Sequence, residues 1–84
     1  MQLASYAKVI HEAFPSDEEL QGIARQEMTY IGNHTGGRPS DHARTAVYYV
    51  QAALDTQNVN RLASPTAQIR MQGYLNSRFG GIQS

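Results

Sequence analysis

The chain has 84 residues, no cysteine, and seven basic against seven acidic side chains. That length gives one small domain that buries only about 60–65% of its unfolded surface, and it is expected to be marginally stable alone or stabilised by self-association. Without cysteine there is no disulfide framework, thiolate nucleophile or thiolate metal site, and no apolar run approaches the length of a membrane span.

The first helix is expected from about Gln2 to Phe14, because Leu3, Tyr6, Ala7, Ile10, Ala13 and Phe14 recur at steps of three and four and form one apolar stripe. This start carries a single lysine and an interrupted apolar pattern, which does not fit a signal peptide. A cytoplasmic location is accordingly expected, and the sequon at Asn33 is read as chance. Pro15 ends the stripe. Ser16-Asp17-Glu18-Glu19 then reads as a capping box, with Ser16 as the cap and Glu19 reaching back.

The second helix places Leu20, Ile23, Ala24, Met28 and Ile31 inward, and Gly32-Asn33 is its expected end. Ser40 is the expected cap of a third helix with Ala43, Ala46, Val47, Val50, Ala53 and Leu54 on one face, stopping in the polar run Gln57-Asn58-Val59-Asn60. Ser64-Pro65 is a restart signal, a cap followed by proline at the first helical position. The fourth helix directs Ala67, Met71, Tyr74, Leu75 and Phe79 inward and halts at Gly80-Gly81. No segment alternates with period two and none repeats. The predicted fold is all-α: one compact domain, residues 1–84, of about four short helices that self-associates.

Charge is unevenly spread. Residues 1–31 carry a net charge of −3 and residues 32–84 a net charge of +3, with every cation of the second part an arginine. Two charges break the apolar stripes: Glu27 in the second helix and Arg78 in the fourth. A charge facing a core is costly unless paired, so the two are expected to pair with each other, or one to reach a partner in a second subunit, or both to lie at the stripe edges and reach outward. Three apolar side chains face away from the stripes. Tyr48 lies on the polar side of the third helix beside Ala52, Ile69 lies opposite the stripe of the fourth, and Val9 flanks that of the first. Tyr48 with Ala52, and Ile69 separately, are expected to serve an interface with a second copy or a partner.

The segment Asn33–Ser40 contains Gly36, Gly37, Arg38 and Pro39. Two readings apply. As a connector it turns the chain and restarts a helix. As a binding loop it offers the hydroxyls of Thr35 and Ser40, the charges of Arg38 and Arg44, His42 in the first turn of the third helix, and Tyr48 for stacking. It matches neither the phosphate-loop nor the dinucleotide pattern, and Asp41 would repel an anion. Gly37-Arg38-Pro39 shares three letters with minor-groove hooks but lacks their flanking basic residues. The histidines show no metal-ligand spacing, and no nucleophile elbow or paired acids can be read, so no metal, cofactor or catalytic residue is expected.

The expectation is a non-enzymatic regulatory, adaptor or inhibitor-type protein. It would bind a protein partner through the 35–40 loop and the outer face of the third helix: Thr35, Arg38, Ser40, His42, Arg44, Tyr48 and Gln51. Capture of a phosphate-bearing small ligand such as a nucleotide, at the loop and helix start of an oligomer, is the second reading. DNA binding through the arginines of a dimer is the third, weakened by the zero net charge. No membrane association is expected.

Overall fold

A computed structural model of the chain describes residues 4–80. Four helices follow one another: α1 Ala4–Ala13, α2 Glu18–His34, α3 Pro39–Thr56 and α4 Pro65–Arg78, with a 3-10 turn at Val59–Arg61 before α4. The expected start at Gln2, the inward Leu3 and the second glycine of the Gly80-Gly81 stop lie outside the described residues. Among the described residues no strand is present, and the fold is an all-α bundle. No described helix is long and apolar enough to cross a membrane.

The Cα trace spans 45 × 27 × 17 Å. Because a helix with its side chains is about 10–12 Å across, the smallest dimension holds only two layers. α3 packs on both α1 and α2, whereas α4 packs on α2 and on the 3-10 turn. α2 is therefore the shared wall between an α1–α3 side and an α4 side. The α3 seam is built on small residues: Ala43, Ala46, Val50 and Ala53 are fully buried, as is Ala24 of α2. Ile10, Ile23, Leu62 and Met71 supply the larger buried volume.

On α1 the buried face is turned from the one expected. Ala7 is exposed, while Val9 joins Tyr6, Ala13, Ile10 and Phe14 against the core. The cause is that α1 rests mainly on α3, so α3 determines which side of α1 faces inward.

The cap of α2 is Asp17, not Ser16. Its Oδ1 accepts the Leu20 amide at 3.1 Å, and Glu18 and Glu19 occupy the first turn. The Gln21 amide group donates to the Phe14 carbonyl at 2.6 Å and so satisfies the end of α1. At its other end α2 runs through Gly32 and Asn33 to His34. Thr35 closes it, donating both its amide and its hydroxyl to the Ile31 carbonyl at 2.9 and 2.8 Å. Neither Gly32 nor Asn33 adopts a positive φ; the left-handed residue of this loop is Gly37, at φ +114.

α3 starts at Pro39, with Arg38 as its cap residue and no side-chain cap bond. Ser40 lies inside the helix and does not cap it. The stop after Thr56 falls in the expected polar run, where Gln57 takes the left-handed conformation at φ +50. Ser64 and Pro65 act as the sequence predicts: the Ser64 hydroxyl accepts the Ala67 amide at 3.2 Å, and proline occupies the first turn. Phe79, expected inward, is 57% exposed because α4 has already ended at Arg78.

Glu27 and Arg78 do not pair. Glu27 is completely buried and accepts two backbone amides, Ala63 at 2.8 Å and Ser64 at 2.9 Å, one carboxylate oxygen to each. Arg78 instead reaches Asp17 at 3.3 Å and lies over the Tyr74 ring, 5.0 Å from its centroid. The Tyr74 hydroxyl donates to the same Asp17 oxygen at 3.1 Å. Two carboxylates of the α2 region thus hold α4, Glu27 at its beginning and Asp17 near its end.

Candidate functional site

The loop between α2 and α3 is closed by its own side chains. The His42 Nε2 carries the proton of a hydrogen bond to the Gly36 carbonyl at 3.0 Å, since a carbonyl can only accept. The ring lies over Gly32, where a Cβ would come within 3.1 Å of Nδ1, and beside Gly37, where one would come within 3.3 Å of Nε2. The two glycines thus give the imidazole its seat, and Gly37 also supplies the positive φ.

The start of α3 has little left for an anion. Pro39 has no N–H, and the amides of Asp41 and His42 both donate to the Arg38 carbonyl, at 3.0 and 3.1 Å. Asp41 holds Arg38 and Arg44 together, each at 3.6 Å. The Thr35 hydroxyl is turned to Ile31. Of the residues named from the sequence, the structure brings Arg38, His42 and Arg44 around this loop, with Asp41 between the arginines.

Tyr48 and Gln51 continue outward along α3, both exposed, and Ala52 is half-buried beside them. Tyr48 is 65% exposed and meets Tyr49 edge-on, with ring centroids 5.5 Å apart and an interplanar angle of 67°. Ile69, 74% exposed, stands on α4, which packs on α2 and the 3-10 turn. Ile69 thus stands on a different helix from Tyr48 and Ala52.

Sequence reasoning missed the cleft next to this face. It has a volume of about 250 Å³ and is lined by Tyr30, Ile31, His34, Tyr49 and Ala63 with Thr35 and Thr45. One wall is a stacked pair, Tyr30 and His34, with centroids 4.1 Å apart; the His34 Nδ1 donates to the Tyr30 carbonyl at 2.8 Å. The Thr45 hydroxyl is engaged with the Asp41 carbonyl at 3.0 Å. A signal was present in the i, i+4 spacing of Tyr30 and His34 on α2. Among the described residues no group of three or more histidine, aspartate or glutamate side chains converges as a metal site would require.

No protein-family model, curated protein or solved structure matches this chain.

Proposed function

We propose that this chain works by binding and that it recognises a protein partner through the outer face of α3, with Arg38, His42 and Arg44 at one end and Tyr48 and Gln51 further along. The observation that carries this reading is Tyr48, a large ring held at the surface by Tyr49 and set beside the Tyr30–His34–Tyr49 cleft. Such a side chain gives contact area at low conformational cost, and tyrosine and arginine are enriched at interface centres. Capture of a phosphate-bearing ligand at the loop draws less support, because one free amide remains at the α3 start and Asp41 lies between the two arginines. The same Asp41 weakens a DNA-binding reading of this face.

The test is site-specific photo-crosslinking in the source cells, with the probe placed at Tyr48, Gln51 or, as control, the exposed Glu12. Capture of the same polypeptide from positions 48 and 51 but not from 12 is the expected result. Equal capture at all three positions, or capture of nucleic acid at 48, would refute it.

A further inference from the structure

We infer that two copies of this chain pair through the outer face of α4, the two helices antiparallel, with Ile69 of each copy seated on Gly73 of the other. Among the described residues three glycines lie inside helices: Gly22, Gly32 and Gly73. The fold accounts for the first two. A Cβ at Gly22 would come within 3.0 Å of the Arg70 guanidinium, and one at Gly32 within 3.1 Å of the His42 ring. At Gly73, which is exposed, a Cβ would meet nothing within 4 Å. Glycine is, after proline, the residue least favourable to a helix interior, yet no described residue uses the room that Gly73 leaves. A side chain arriving from outside the chain would use it.

The rest of this face suits such an approach. α4 buries Ala67, Met71, Tyr74 and Leu75, and its opposite side presents Thr66, Ile69, Gln72, Gly73 and Asn76, all exposed. None of these five is charged, whereas the exposed sides of α1, α2 and α3 carry Glu12, Arg25 and Asp55. Charge is depleted at interface centres in the same way. The two cations of α4 are directed to the α2 side. Arg70 lies back across Gly22, in a groove that Glu18 and Glu19 also line, and Arg78 reaches Asp17 at 3.3 Å. Neither guanidinium therefore stands between two copies that meet at Gly73. The Gln72 and Asn76 side chains are hydrogen-bonded to each other at 3.1 Å, which lowers the cost of covering them.

Self-complementarity selects a second copy as the occupant. Ile69, 74% exposed, stands one turn before Gly73 on the same face. A knob and a hollow one turn apart fit their own copy when the second helix runs the opposite way, because each isoleucine then meets the other copy's glycine. A two-fold contact requires this kind of fit, and the antiparallel direction also opposes the two helix dipoles. A polyanion has no cation to meet on this face. The contact uses α4 and not the α3 face, so either reading can fail without the other.

Sedimentation equilibrium of the full chain, from about 1 μM to about 1 mM, tests the pairing. One helix from each copy makes a contact of the small class, under about 1,200 Å², so a weak dimer that dissociates on dilution is expected. It should persist as salt rises from about 0.05 to about 0.5 M, since no ion pair holds it. Gly73→Ala separates the contact from the fold. The added methyl meets nothing within the chain, so the melting temperature of the dilute protein should rise by about 4–8 °C while the dimer weakens at least about tenfold. Ile69→Glu should abolish the dimer by placing a carboxylate in the contact, with melting curves showing that the variant is folded. A wild type that stays monomeric throughout overturns the proposal and leaves the face to a different partner. So does a dimer that either variant leaves as tight as before.

Discussion

Glu27 and Asp41 are both carboxylates near the start of a helix that follows α2, yet the regions they organise differ in kind. Glu27 is fully buried and takes two amides at 2.8 and 2.9 Å. Asp41, with its side chain about half exposed, holds two arginines at 3.6 Å. The α4 junction is thus a dry, directional contact in which a buried carboxyl group replaces lost water with hydrogen bonds and faces the positive end of a helix. The α3 junction is a wet one. Its ion pairs are of the exposed type that contributes roughly 0–1 kcal/mol, and its order comes from glycine, proline and one imidazole. Stability is concentrated at the first junction, and accessible chemistry lies at the second.

Glu27→Gln is the most severe way to break this contrast. Glutamine keeps the shape but offers one acceptor, so an amide of Ala63 or Ser64 loses its partner and meets an NH₂ group instead. A loss of about 2–4 kcal/mol is expected in urea denaturation, a large part of the stability of a domain this size. A loss below about 0.5 kcal/mol would mean that Glu27 does not anchor α4, leaving its apolar face and the Asp17 contacts to hold it. His42→Ala is the counterpart at the α3 junction. It removes one hydrogen bond and the ring that covers Gly32, so about 1 kcal/mol is expected, together with faster amide exchange confined to residues 35–38. Global loss comparable to that of Glu27→Gln would erase the distinction between the two junctions.

Much of this arrangement could be read in the sequence, and the parts that could not share a cause. Helix number, the Ser64-Pro65 restart and the inward faces of α2, α3 and α4 follow from local periodicity and capping chemistry, which act within one turn. Asp17 is visible as an acid at the start of α2, but its bonds to Tyr74 and Arg78 span 57 and 61 residues of the chain. The same holds for Glu27, whose partners are backbone amides 36 and 37 residues away and carry no side-chain signature. An expected pairing of Glu27 with Arg78 looked only for opposite charge, and a buried carboxylate is equally well satisfied by peptide N–H groups. Gly32 reads as a stop in the sequence because glycine often ends helices. Here it remains helical, since what it provides is room for His42. The Tyr30–His34–Tyr49 cleft escaped because it is formed by two helices and Ala63, none of which is unusual alone.

The smallest effect tests the second of the two carboxylate anchors, Asp17. Tyr74 is 7% exposed, and its phenol is raised above its ordinary value of about 10, first by burial and next by the hydrogen bond to the Asp17 carboxylate, with the Arg78 guanidinium opposing. A raised folded value means that the folded chain keeps a proton the unfolded chain releases. Stability from this group is therefore complete below about pH 10 and is lost as pH rises from there through the raised value. Unfolding free energies measured from about pH 8 to about pH 11 should fall more steeply for the wild type than for Tyr74→Phe, which lacks the titrating hydroxyl. At about pH 8 the substitution itself should cost about 1 kcal/mol or less, the scale of one partly buried hydrogen bond. Parallel pH profiles would mean that the phenol is not held by Asp17 in solution, leaving Arg78 as the α4 side chain on that carboxylate.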